Sequence, residues 1–163
     1  MLPYVESFSE EDRKRLFGFL ALFARWECAL KSTGYARPGH FQHALADWDR
    51  FATDHEGAVA ALADAEFVAA RTFLLASPPK QQVLNNGTVE WRDNPRRPNE
   101  SDSSYLFRVV RDVRNNLFHG GKFVTGPEPE LARDRALVDH ATRLLESAAS
   151  IDQRVLAVLE QGA

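Results

Sequence analysis

Apolar residues recur at helical spacing along most of the chain, and the breaks between those stretches divide it into about five helices. Ser9-Glu10-Glu11-Asp12 reads as a helix start, because the serine can cap free N–H groups and the acids sit at the positive end of the helix dipole. This first helix is expected to run to about Ser32, ahead of Gly34, with Leu16, Leu20, Phe23 and Leu30 on one stripe. Phe17, Phe19 and Trp26 add apolar surface on its other sides, the pattern of a helix buried centrally or shared with a second subunit. Pro38-Gly39 interrupts the chain. A second helix is expected over 40–54, with Phe41, Leu45, Trp48 and Phe51 on one side. A third is expected over 57–76, ending before Pro78-Pro79.

Residues 77–103 differ in kind: they hold four of the eight prolines and many polar residues. Val83-Leu84 and Val89-Glu90-Trp91 flank Asn86-Gly87, which predicts a short hairpin. A fourth helix is expected from Asp102 or Ser103 to His119, with Leu106, Val109, Val110, Val113 and Leu117 inward and Gly120-Gly121 as the stop. The last helix is expected from Pro127-Glu128 to about Glu160. Its seam of Leu137, Ala141, Leu144, Ala148, Ile151, Val155 and Val158 alternates by four and three, over roughly 50 Å. The fold class is therefore all-α: an up-and-down bundle with an irregular insertion around 77–103.

A chain of 163 residues is the size of one domain. It contains no run of 18 apolar residues, so a membrane span is not expected, and its start shows no secretory pattern. The single cysteine, Cys28, excludes an internal disulfide and a cysteine-based zinc site, and a reducing cytoplasm is the expected compartment. Cys28 lies mid-helix among apolar neighbours, where core packing is expected. The net charge of -3 argues against a general nucleic-acid coat protein. Yet residues 80–122 carry eight basic and five acidic residues, a local excess that can either hold a phosphate or belong to a solvated loop.

The stretch Arg111-Asp112-Val113-Arg114-Asn115-Asn116-Leu117-Phe118-His119-Gly120-Gly121-Lys122 carries the candidate chemistry. A histidine passes protons near neutral pH and an arginine grips phosphate with a planar fork. Together they supply what RNA cleavage without a metal requires: a group that moves the 2′-hydroxyl or leaving-group proton, and one that stabilises the phosphorane. Arg114 and His119 are five residues apart, about 140° around a helix, so they converge only if the arginine wraps round or two copies meet. His119 can also be read as a residue that simply faces the helix C-terminus. Glu27 falls inside the apolar stripe of the first helix and needs a partner, with Arg114 or Arg111 the candidates. It either orients the arginine of a site or makes a plain ion pair. Lys122 follows the helix stop as a cation able to meet phosphate. His40 and His43 are three apart, but too few further ligands stand nearby for a metal site, and no cofactor is expected.

At Arg114, Asn115 and His119 the chain resembles the HEPN superfamily, whose hallmark is an arginine, a polar residue, and a histidine four to six residues on, late in a helix. The Leu117–Lys122 continuation resembles bacterial HEPN proteins, as does Phe23-Ala24-Arg25-Trp26-Glu27-Cys28-Ala29-Leu30-Lys31 in the first helix. The resemblance implies a metal-independent endoribonuclease, a toxin or anti-phage effector, acting as a homodimer in which two such motifs line one cleft. It implies that Arg114 stabilises the phosphate, His119 acts as acid or base, and Asn115 supports their geometry. It also implies an antitoxin or defence-system partner. One subset, silenced by adenylylation, has a tyrosine two positions after the histidine; here that position is Gly121. Two other readings stand beside the nuclease: a non-catalytic HEPN module that binds nucleotide, RNA or protein, and a helical dimerisation domain. Within the insertion, Trp91, Arg92, Arg96 and Arg97 are candidates for holding single-stranded RNA by stacking and charge.

Overall fold

The computed structural model describes residues 9–119 and 128–161, with the side chains of His119, Glu128 and Pro129 outside the described set. The fold is mostly helical, a bundle flanked by two small antiparallel hairpins. Helix α1 (Glu10–Ser32) begins as its sequence requires: Ser9 Oγ accepts from the Asp12 N–H at 3.0 Å, and three acids fill the first turn. It ends in a turn through Gly34 at φ 96°, where Tyr35 N–H reaches back to Leu30 O at 2.8 Å. Its large buried apolar residues are Phe19, Phe23, Trp26 and Leu30, spaced four, three and four. Leu16 and Leu20 are only half-buried and Phe17 is exposed, so the stripe is rotated from the expected one toward the large aromatics. Cys28 is exposed on α1 rather than packed in the core.

The expected helix over 40–54 is shorter and starts later. Strands β1 (Ala36–Pro38) and β2 (Ala44–Ala46) pair antiparallel, with Pro38 opposite Ala44, around a 3₁₀ turn at His40–Gln42. Phe41 and Gln42 both take left-handed angles, φ 54° and 62°, which no helix tolerates. A side chain at Gly39 would meet Leu45 Cδ1 at 2.8 Å, so glycine lets the Leu45 side chain lie close over the turn. Helix α2 (Trp48–Asp54) follows, with Asp47 accepting from Arg50 N–H at its start. The expected helix over 57–76 is likewise two: α3 (Glu56–Ala61) and α4 (Ala65–Ala76). Asp64 makes the break by capping Phe67 N–H at 2.9 Å.

In the insertion, β3 (Gln81–Asn85) and β4 (Thr88–Arg92) form the expected hairpin, with Asn86 and Gly87 at φ 47° and 80° as a type I′ turn demands. Helix α5 (Asp102–His119) buries Leu106, Val109, Val110 and Val113, as expected. The last helix is not continuous. Helix α6 (Glu128–Ala148) gives way to a 3₁₀ turn at Ala149–Ile151, and α7 (Gln153–Glu160) restarts behind Asp152, whose carboxylate caps Arg154 N–H at 2.8 Å. Leu137, Ala141, Leu144, Ala148 and Val155 of the expected seam are buried, and α6 and α7 pack them against α1 and α4 of the same chain.

Two buried ionic clusters fasten these pieces. Asp12 accepts from Arg135 of α6 at 3.0 Å and from Arg15 at 2.9 Å, pinning α1 to α6. Arg108, 4% exposed, donates to both Glu100 oxygens at 2.7 and 2.8 Å and to Pro95 O and Asn94 Oδ1. The otherwise irregular segment 93–100 is thereby tied to α5. Arg135 hydrogen-bonded to Asp12, Arg108 to Glu100 and Arg154 to Asp152 hold these three carboxyls below their usual range, Asp152 to about 2.

Replacing Arg108 with methionine leaves Glu100 and Asn94 buried without their donor, so the loss should be about 3–5 kcal/mol by denaturant unfolding, whereas Arg92→Ala should cost under about 0.5 kcal/mol. Carboxyls whose folded-state values are lowered stabilise the fold above their unfolded values and cease to do so as they are protonated. The stability that these carboxyls contribute should therefore be constant above about pH 5 and be lost between about pH 4 and 2, with Asp152→Asn removing part of that slope.

Candidate functional site

The last two turns of α5 carry Arg111, Arg114, Asn115 and Phe118, which recur at three, four and seven residues and so form one stripe. That stripe meets α1 and the β1–β2 hairpin at a cleft of about 400 Å³. Glu27 and Lys31 enter it from α1, one helical turn apart, and Arg37 enters from β1. Phe23 and Trp48 form its apolar wall. The cleft thus gathers four of the expected site residues, Glu27, Arg111, Arg114 and Asn115. It adds three that the sequence reading did not single out: Lys31, Arg37 and Trp48.

The cleft has four cationic side chains to one carboxylate. Arg114 makes no ion pair among the described residues. Its guanidinium lies 4.3 Å from the centre of the Phe118 ring and 5.8 Å from that of Phe23, and it donates to Asn115 Oδ1 at 3.2 Å. Stacking of this kind holds an arginine in place while leaving most of its N–H groups available. Arg111 pairs with Asp49 of α2 at 2.6 Å, not with Glu27. Half-buried Glu27 has no ion-pair partner within 4 Å among the described residues, so neither arginine expected to pair with it does so. Lys31 and Arg37 are exposed and unpaired among the described residues. Two residues of the lining, Trp48 and Arg111, each have one buried nitrogen, Nε1 and Nε, with no hydrogen-bond acceptor among the described residues. Such groups cost free energy.

Asn115 also lines a second groove of about 390 Å³, with Gln81, Gln82, Asp112 and Asn116. The β3 strand forms its far side, held by Asn116 Nδ2 donating to Lys80 O at 2.7 Å. Asn115 therefore stands on the ridge between two hollows, with residue 119 one turn beyond it along α5. The His119 side chain and Lys122 lie outside the described residues.

The four insertion residues are not gathered at the cleft. Trp91 and Arg92 lie on β4, with Trp91 opposite Gln82. Arg96 pairs with Asp102 at 2.6 Å and lines a separate cavity with Glu56 and Arg71, while Arg97 is exposed and gives its backbone N–H to Glu100. Arg96 is thus committed to shaping its own loop. Among the described residues no three His, Cys, Asp or Glu side chains are grouped to hold a metal.

Arg114→Ala should lower stability by less than about 1 kcal/mol in thermal or denaturant unfolding, since it forfeits mainly stacking on the exposed Phe118 ring and one hydrogen bond to exposed Asn115. A larger loss would mark Arg114 as a structural residue. No family model, curated protein or solved structure matches the chain.

Proposed function

We propose that this chain is a metal-independent endoribonuclease of HEPN type, working as a cytoplasmic homodimer in toxin or anti-phage defence, with an antitoxin or defence-system partner. The observation that supports this reading best is the cleft itself. Arg114 and Asn115 of the motif stand there with Arg111 and Glu27, and Arg114 is held by rings instead of being neutralised by a carboxylate. On this reading a phosphodiester enters the cleft and Arg114 takes a non-bridging oxygen. His119 removes the 2′-hydroxyl proton or delivers one to the 5′-oxygen, and the 2′-oxygen attacks phosphorus. The 5′-oxygen bond breaks, leaving a 2′,3′-cyclic phosphate and a 5′-hydroxyl. Arg114 stabilises the added charge on the phosphorane. Asn115, bonded to Arg114, holds its orientation.

A second reading, a non-catalytic HEPN module that binds nucleotide, RNA or protein, draws support from Lys31, Arg37 and Arg114, cleft cations that make no ion pair among the described residues and suit an anionic ligand whether or not it is cleaved. The two readings separate in one assay. Wild-type protein should cut single-stranded RNA in the presence of EDTA and leave cyclic phosphate ends. His119→Ala and Arg114→Ala should each lower the rate by about 100-fold or more. Cleavage that depends on an added divalent ion, or survives both substitutions, overturns the nuclease reading.

A further inference from the structure

The charge in the cleft exceeds what one scissile phosphate uses. Arg114 answers that need on the reading above, yet Lys31 and Arg37 stand at the same cleft from two other elements, unpaired among the described residues. Both are exposed; Lys31, in the last turn of α1, also suits the negative end of the helix dipole, whereas Arg37 makes no ion pair among the described residues. Two like charges held near two further arginines repel one another, a cost that a bound polyanion removes.

The hairpin that carries Arg37 has a second unusual feature. Its turn holds two consecutive non-glycine residues in the left-handed region, and Phe41 at that tip is 95% exposed. A large aromatic side chain gains nothing from water, and left-handed backbone costs roughly 1 kcal/mol or more per residue. The turn is braced by Gly39 N–H donating to His43 O at 2.8 Å and by the tight fit of Leu45 over Gly39. The result is an aromatic face on a short, braced hairpin whose strands line a cationic cleft.

We propose that the Ala36–Ala46 hairpin and Lys31 build a second nucleotide subsite beside the scissile one, in which Arg37 and Lys31 grip the neighbouring phosphate and Phe41 stacks on an unpaired base. The ligand class is a single-stranded oligonucleotide of at least two phosphates. The subsite rests on the nucleic-acid part of the function proposed above but does not need its chemistry.

The test uses the full chain and a short fluorescent all-deoxy single strand, which lacks the 2′-hydroxyl and is not cut, titrated by anisotropy at several salt concentrations. The double variant Lys31→Ala/Arg37→Ala should bind at least about tenfold more weakly and reduce the salt slope by about 1. Phe41→Ala should weaken binding about tenfold with the slope unchanged, and Phe41→Trp should restore it. Because these side chains are exposed, melting temperatures should not move. A wild type that does not bind the strand overturns the proposal, and so does a double variant with unchanged affinity and slope. A ribose version of the strand keeps the two ideas apart. Binding without cleavage removes the nuclease and leaves the subsite, whereas cleavage with KM unchanged in the double variant removes the subsite and leaves the nuclease.

Discussion

Everything around the cleft is positioned by one stack of aromatic rings. Trp26 of α1 lies against Trp48 of α2 at 5.7 Å, nearly parallel, and edge-on to Phe51 at the same distance. Phe51 meets Phe107 of α5 at 5.5 Å and near a right angle, and Phe23 stacks on Trp48 at 5.2 Å. Trp26, Phe51 and Phe107 are almost wholly inaccessible, so three helices share one close-packed cluster. Phe23 and Trp48 belong both to this cluster and to the wall of the cleft. The wall cannot shift without repacking the core, so the cationic side chains project from a rigid frame, as a binding site requires.

Two kinds of arginine follow from that frame. Arg108 and Arg135 are spent on structure: Arg108 ties the irregular segment 93–100 to α5 through Glu100, and Arg135 adds a buried ion pair with Asp12 to the packed α1–α6 interface. Arg114 is different. It lies two turns beyond Arg108 on the same helix, but its neighbours are rings and an amide, so its charge is left uncompensated. Arg111 is intermediate, with one nitrogen given to an exposed aspartate and another buried without an acceptor. The gradient from neutralised to available charge along α5 runs toward the end of the helix where the motif lies.

What was legible in the sequence divides along physical lines. The caps at Ser9 and the Asn86-Gly87 turn were readable because one residue type in one place does the work. The buried face of α5 was readable because its apolar period is clean. The breaks at Asp64 and Asp152 were missed. Each aspartate sits in an apolar periodicity that continues on both sides, and capping depends on a local contest between side chain and backbone acceptors that periodicity does not reveal. The β1–β2 hairpin was missed for a related reason. Phe41, Leu45, Trp48 and Phe51 fall at helical spacing, yet only Trp48 and Phe51 are buried, and the left-handed turn at Phe41 is set by tertiary fit. Arg37 was lost with it. Lys31 had a signal, four residues after Glu27 on the same face, but exposed lysines at that spacing are common on helices.

The geometry of α5 also bears on why a second subunit enters the functional reading at all. Arg114 faces the cleft bounded by α1 and the β1–β2 hairpin, while Asn115, its neighbour in sequence, lines that cleft and the groove bounded by β3 as well. Residue 119 follows Asn115 by one turn and is about 140° from Arg114 around the axis. On the proposed nuclease reading, positions 114 and 119 of one chain serve a single phosphodiester only if it sits across the Asn115 ridge, near the end of the helix. A two-fold axis near that end relaxes the demand, since the arginine of one copy and the histidine of the other then approach from opposite sides. Exposed Phe118, at 56%, lies at this end and has an apolar face to offer such a contact. Arg114, held against the Phe118 ring and without an ion pair among the described residues, is compatible with either arrangement, which is why the proposed function centres on the end of α5.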